Sequence, residues 1–322
     1  MYYMGIDVGS VSTNVVLLDE GLKVIEEIYL KSMGSPIKSV CEGLEKLKDK
    51  YDSKQIHGVG TTGSGRNIAA AVIGADVIKN EITTHSIAAS HIDAGVQTIL
   101  EIGGQDSKVI LLRDGVISDF AMNTVCAAGT GSFLDRQAER LGIEISELGR
   151  MALKSRTTVR IAGRCAVFAE TDIIHKQQLG YEKEDLIAGL CHALVRNYFS
   201  NLCKGKELRN KIFFQGGVAA NQGIKKAFEE LLDKEIIIPE HFRVMGAVGA
   251  AILAKESVKS KRVQTVFKGF NILKDRISTD SFECHDCPNH CEVIRIYSNN
   301  TMIGCFSDRC GKYQVSDAKS KT

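Results

Sequence analysis

The sequence predicts a mixed α/β protein made of two related halves, followed by a small cysteine-rich module. Three observations carry this reading. Strand-like and helix-like runs alternate along the chain, the pattern of sheets flanked by helices. The element order that begins at Tyr3 begins again at Thr98: strand, small-residue turn carrying an Asp, strand, hairpin, strand. Beyond Lys255 the character changes, and five of the ten cysteines fall between Cys284 and Cys310.

In the first half, residues 3–7, 15–18 and 24–30 read as a β-meander with a turn at Glu20-Gly21. Ser35-Pro36 starts a helix, Ser as cap and Pro at the first position, with Val40, Leu44, Leu47 and Tyr51 on one face. A short strand over 56–59 ends in the turn Gly60-Thr61-Thr62-Gly63-Ser64-Gly65, and a helix covers 85–94. In the second half, strands cover 98–102, 109–112 and 116–120, the last two joined across Asp114-Gly115. Helices fit 133–141, 167–178 and 184–202, and short buried strands fit 212–214 and 236–238. Pro239 ends the last strand, and 244–254 is a small-residue helix able to pack closely. The expected domains are 1–96, 97–254 (with 243–254 returning to the first) and a cysteine-rich extension over 255–322.

A chain of 322 residues, 44% hydrophobic, can bury a sizeable core. Its 41 basic and 39 acidic residues are mixed along the sequence, so a net charge of +2 leaves no footprint for nucleic acid or anionic lipid. Neither partner is expected. No leader and no bilayer-length apolar run is visible, so the expected location is the cytoplasm. Thiols stay reduced there, and ten cysteines point to metal or redox chemistry rather than disulfides.

Phosphate binding needs exposed backbone N–H groups at a small-residue turn after a strand, with an acid for Mg²⁺. Asp7-Val8-Gly9-Ser10 and Gly103-Gly104-Gln105-Asp106 meet that description, one in each half. Gly216-Gly217-Val218-Ala219-Ala220-Asn221 follows a strand and opens a helix at Gln222, a flank on which an adenine could lie. Any one of these is equally an ordinary strand-to-helix turn. Three in order across two similar halves point to a nucleotide. The chain has no G-x-x-x-x-G-K-[ST], which excludes a Walker-type ATPase.

These turns resemble those of the acetate kinase, sugar kinase, heat-shock ATPase and actin superfamily. The resemblance implies an actin-like fold of two RNase H-like domains with ATP in the cleft between them. Gly9, Ser10, Ser12 and Thr13 would form one phosphate loop, and Gly103, Gly104 and Asp106 the other, joined by Gly129 and Gly131. Gly216, Gly217, Asn221 and Gln222 would hold adenosine. Asp7 would stand near Mg²⁺, and Glu101 or Gln105 would orient the attacking water.

Asn123-Thr124-Val125-Cys126-Ala127-Ala128-Gly129-Thr130-Gly131-Ser132-Phe133 and Ala162-Gly163-Arg164-Cys165-Ala166-Val167-Phe168-Ala169-Glu170 each place a cysteine before a helix start. Helix N-termini stabilise thiolate, the form that binds iron. On composition alone such thiols read as buried structural cysteines. Taken with Glu101–Asp106 and Gly216–Asn221, however, these segments resemble the activators of 2-hydroxyacyl-CoA dehydratases over residues 3–254. Those activators belong with the BadF/BadG/BcrA/BcrD-type ATPases and benzoyl-CoA reductase subunits. The resemblance implies that Cys126 and Cys165 from each of two copies hold one [4Fe–4S] cluster on the axis of a homodimer. It further implies a ferredoxin or flavodoxin donor, and ATP-driven delivery of an electron to a partner iron–sulfur enzyme. That partner would be dehydratase-like or a double-cubane-cluster protein. Glu101 stands where the family more often has Asp, and Asn14 replaces a lysine of some relatives. Two rival functions use the same fold: a small-molecule kinase and a non-catalytic ATP or redox sensor.

The tail departs from the shorter activators. Cys284-His285-Asp286-Cys287-Pro288-Asn289-His290-Cys291, with Cys305 and Cys310 beyond, suits either zinc or a second iron–sulfur cluster. Cys284, Cys287, Cys291 and Cys310 are the expected ligands and Cys305 the spare, the site being an electron entry point or a docking knuckle. His85, His91, His175 and His192 read as structural, and Cys41, Cys191 and Cys203 as core.

Overall fold

Two five-stranded sheets with the same strand order organise the chain. The computed structural model describes residues 1–123, 126–157 and 159–313; Thr124 and Val125 of the Cys126 segment, and the tail from 314, lie outside the described residues.

In the first sheet, β1 (Tyr2–Val8), β2 (Ser12–Leu18) and β3 (Val24–Lys31) form an antiparallel meander. β4 (Ile56–Thr62) and β5 (Val77–Ile78) add to it in parallel, giving the order β3-β2-β1-β4-β5. Asp19 closes the β2–β3 hairpin, its Oδ1 accepting from Lys23 N at 2.9 Å. Between the strands run α1 (Pro36–Lys48), α2 (Arg66–Ile73) and α3 (Glu81–Ile92). Val40, Leu44 and Leu47 bury the α1 face as expected. The Ser35 side chain makes no cap; Ser39 Oγ donates instead to the carbonyls of Ser35 and Ser32 at 3.2 and 3.3 Å.

The second sheet repeats the plan. β6 (Thr98–Ile102), β7 (Ser107–Arg113) and β8 (Val116–Asn123) form the meander. β9 (Ile212–Gln215) and β10 (Ile236–Ile237) complete the order β10-β9-β6-β7-β8. The helices are α4 (Gly131–Leu141), α5 (Ile145–Ala152), α6 (Ala166–Gln178), α7 (Lys183–Tyr198) and α8 (Gln222–Leu232). The helix expected over 184–202 is α7, which ends at Tyr198 and continues as the π-helical turn Phe199–Cys203. That wider turn keeps Leu202 and Cys203 buried. Tyr198 and Phe214 meet Phe228 edge-on at 5.3 and 5.2 Å and anchor this core.

The chain divides into residues 1–84 with 246 onward, and residues 85–245. The division thus falls at 84–85, inside α3, where the sequence placed it at 96, and α9 (Met245–Lys261) packs on the first sheet. A Cβ on Gly5 would lie 1.8 Å from Ala247 O, and one on Gly60 would lie 2.1 Å from Ala250 O. This approach explains why Gly60, expected in a turn, lies in a strand that runs on to Thr62. The extension is not a separate body either. β11 (Ile277–Glu283), β12 (Glu292–Ser298) and β13 (Thr301–Phe306) form an antiparallel sheet. Its Ile296, fully buried, joins Val72, Ile73 and Ile272 in the first unit's core. Three short strands cannot cover their own apolar face, so the unit beneath supplies the cover. Among the described residues no helix is long and apolar enough to cross a membrane.

Candidate functional site

Asp7 stands near the end of β1, in register with Asn14 of β2. The turn that follows is tight: Gly9 N donates to Ser12 O at 2.9 Å. Ser32 Oγ reaches Gly9 O at 3.3 Å and lies 3.1 Å from Thr13 Oγ1. Thr13 is fully buried, so the structure gives it a bracing place, whereas Ser10 is exposed. Gly63, past the end of β4, has φ +89°, and a Cβ there would come 2.5 Å from Asp7 Oδ1. Its signal in the sequence was the Gly60–Gly65 run.

In the other unit, Gly103 N donates to Asp106 O at 3.0 Å and closes the second turn. Glu101 and Lys108 face each other across β6 and β7. Lys108 Nζ is 3.0 Å from Glu101 Oε2 and 2.9 Å from Asp106 Oδ2. Lys108 was missed from the sequence; the turn length implies its cross-strand pairing with Glu101. Glu101 is buried beneath the turn, while Gln105 is exposed on it. Tyr198 OH holds the same strand, donating to Lys108 O at 2.5 Å. Gly216 has φ +88°, and a Cβ there would meet Ile102 O at 2.4 Å and Glu101 Oε1 at 2.7 Å. The neighbouring Gln215 Nε2 sits 2.7 Å from His85 Nδ1. Burial, then the Lys108 charge, pushes His85 down to about 3, so this imidazole is neutral. The helix expected to open at Gln222 is α8, which Asn221 caps, its side chain accepting from Ile224 N at 3.1 Å, after the short turn Gly217–Ala220.

The Cys126 segment is tied to this turn. Gly131 N donates to Gly103 O at 2.9 Å and Ser132 N to Gly104 O at 2.8 Å, so the start of α4 rests on the glycine pair. Cys126 heads the single turn Ala127–Gly129 just upstream. Asn123 braces it twice: its Oδ1 accepts from Cys126 N and its Nδ2 donates to Cys126 O, both at 3.0 Å. Asn197 Nδ2 points at Cys126 Sγ from 3.6 Å and donates to Gly163 O at 2.5 Å. Cys126 Sγ also lies 3.9 Å from Arg164 O, the residue before Cys165, which heads α6. Asn123 and Asn197 went unread in the sequence; a buried Asn in the apolar α7 was the available signal.

A profile of the BadF/BadG/BcrA/BcrD ATPase family matches residues 4–254. The chain belongs to that family. It is 36% identical over 258 residues to the (R)-2-hydroxyglutaryl-CoA dehydratase activating ATPase of Acidaminococcus fermentans, across 79% of this chain and 97% of the relative. It is 35% identical over 266 residues to the 2-hydroxyisocaproyl-CoA dehydratase activator of Clostridioides difficile, across 81% and 98%. The solved structure of the activator of the 2-hydroxyisocaproyl-CoA dehydratase from Clostridium difficile, with bound ADPNP, superposes with a TM-score of 0.75 at 34% identity. It covers 83% of this chain and 99% of that one. The actin-like α/β fold expected from the sequence is the one observed, and the family is one of ATPases.

Two half-buried thiols at helical starts, one faced by an amide donor, are a donor set suited to iron. Beside Cys165, Val167 and Phe168 are 65% and 67% exposed. The tail thiols lie outside the family span. Cys284 and Cys305 are buried with Val293, and Cys291 packs against them, while Cys287 and Cys310 are exposed. Cys305, read as the spare from the sequence, packs with Cys284 in this cluster. The declined cysteines Cys191 and Cys203 are core residues whose thiols burial pushes up to about 12.

Proposed function

We propose that this chain hydrolyses ATP to drive single electrons into an iron–sulfur partner, using a [4Fe–4S] cluster shared between two copies. The observation that carries the reading is the tie between turn and thiol: Gly131 and Ser132 hydrogen-bond to Gly103 and Gly104, and Cys126 heads the adjoining turn. A change of phosphate state at the glycine pair is felt at the cysteine through a short rigid stretch.

In this reading Gly9, Ser10 and Ser12, with Gly103, Gly104 and Asp106, hold the phosphates of ATP and then ADP. Asp7 holds Mg²⁺, and Gly216, Gly217, Asn221 and Gln222 hold adenosine. Gln105, exposed on the turn, orients the water, and Lys108 holds Glu101 in place beneath it. Cys126 and Cys165 of each copy hold the cluster, with Asn123 fixing the Cys126 backbone and Asn197 facing its sulfur. The cluster, when bound, supplies one low-potential electron at a time. Val167 and Phe168 face the second copy. The relatives' names point to a dehydratase-like acceptor. A double-cubane-cluster protein as the other acceptor, a ferredoxin or flavodoxin as donor and a place in the cytoplasm belong to the same proposal. The tail thiols are proposed as ligands of zinc or a second cluster.

Oxygen-free purification tests this. The expected product is a brown dimer with slow ATPase activity and no need for a phosphoryl acceptor. Cys126→Ala and Cys165→Ala should each lose the visible absorbance of the shared cluster while keeping nucleotide binding. A full visible spectrum in Cys126→Ala would refute the ligand assignment.

A further inference from the structure

The hairpin joining β11 to β12 presents unlike donor sets on its two faces. Pairing continues past the strands, Cys284 N donating to Cys291 O at 2.8 Å. Glu283, Cys284 and His285 therefore alternate as strand residues do. Cys284 turns inward against Val293 and Cys305. Glu283 and His285 are exposed on the other face, and the chain returns with exposed His290 beside them.

Three ligand atoms converge there. His290 Nδ1 is 2.9 Å from Glu283 Oε1, and His285 Nδ1 is 3.9 Å from the same oxygen. The two Nδ1 atoms are 3.4 Å apart. Ligands at ~2.1 Å from one tetrahedral cation stand about 3.4 Å from each other, and the three separations bracket that edge. A surface ion pair accounts for the His290–Glu283 distance but not for the second imidazole nitrogen turned to the same point. One proton between the two Nδ1 atoms cannot also serve the carboxylate. Asp286, the next carboxylate along, is engaged by Lys312, by Tyr313 OH at 3.2 Å and by Cys284 Sγ at 3.5 Å, which leaves the outer set as two imidazoles and one carboxylate.

We propose that Glu283, His285 and His290 bind one borderline divalent transition-metal cation, of the zinc, cobalt, nickel or ferrous class. The site lies outside the family span and is separate from the tail thiols. Two nitrogens and one oxygen on one side leave the remaining positions open to water or to a donor group of a partner.

Cobalt(II) is the probe: equilibrium dialysis and absorbance on the purified full-length protein, beside His285→Ala/His290→Ala and Glu283→Gln. The wild type should take up one further equivalent of cobalt over the double variant. The difference spectrum should carry d–d bands without the near-ultraviolet thiolate-to-cobalt band. Glu283→Gln should weaken this binding at least about tenfold. Because the three side chains are exposed, metal-free melting should be the same in all three proteins, so lost binding reads as lost ligands. Equal cobalt uptake in wild type and double variant would overturn the proposal, as would a thiolate band in the difference spectrum. The brown absorbance assigned to Cys126 and Cys165 should not differ between the proteins, which keeps the two proposals independently testable.

Discussion

Lys108 Nζ lies 3.0 Å from Glu101 Oε2, with the two side chains only 3% and 5% exposed. The pair sits under the Gly103–Asp106 turn, and Lys108 reaches on to Asp106 at 2.9 Å. Removing one partner of a buried pair costs about 3–5 kcal/mol, because the remaining charge loses its counter-charge in a poorly solvated place. Lys108→Met should therefore lower the urea midpoint strongly and abolish ATP hydrolysis. Glu101→Gln/Lys108→Met should recover much of the stability but not the activity. Additive stability losses in the double variant would contradict a coupled pair.

His85 supplies a pH signature. Its folded value is about 3 against an ordinary 6.5, because burial and the nearby Lys108 disfavour the imidazolium. The unfolded chain takes up the proton first as pH falls. The stability linked to this residue is therefore complete above pH 6.5 and is lost between 6.5 and about 3. The slope approaches about 1.4 kcal/mol per pH unit in that window. His85→Asn should flatten the acid limb of a stability-against-pH curve measured by urea unfolding; an unchanged limb would place the acid sensitivity elsewhere.

Ile296 is fully buried and shares a core with Val72, Ile73 and Ile272. Ile296→Ala should cost about 2–5 kcal/mol. If the tail were an independent module, thermal melting of this variant would show a separate early transition. The expected trace is one destabilised transition that carries the first unit with it.

Val167 and Phe168 expose large apolar side chains at the start of the helix headed by Cys165. Val167→Ser/Phe168→Ser should leave melting within about 0.5 kcal/mol of the wild type, since surface changes are usually small. It should shift sedimentation towards monomer and lose cluster absorbance. A stable brown dimer in this variant would move the shared axis to another face.

How much was legible follows from the range of the interactions. The two meanders, the Asp7 and Gly103–Gly104 turns and the helix start at Gln222 are written in neighbouring residues, through alternation and glycine, and the structure places them where the sequence does. Cys126 and Cys165 could be read as helix-heading thiols for the same reason. What the sequence left open depends on residues far apart along the chain. Asn197 meets Cys126 only because α7 packs there, and Lys108 meets Glu101 only through strand register. The return of α9 to the first unit was expected, but its seats on Gly5 and Gly60 were not, and the extension shares a core instead of forming its own. In the tail the cysteine spacing is local, but which sulfurs face inward is set by the pleat of β11 and β12, which buries Cys284 and Cys305 and turns Glu283, His285 and His290 outward. Local backbone preference determined the turns and helix starts of this protein; burial and register, which act only once the chain has closed on itself, decided which side chains meet.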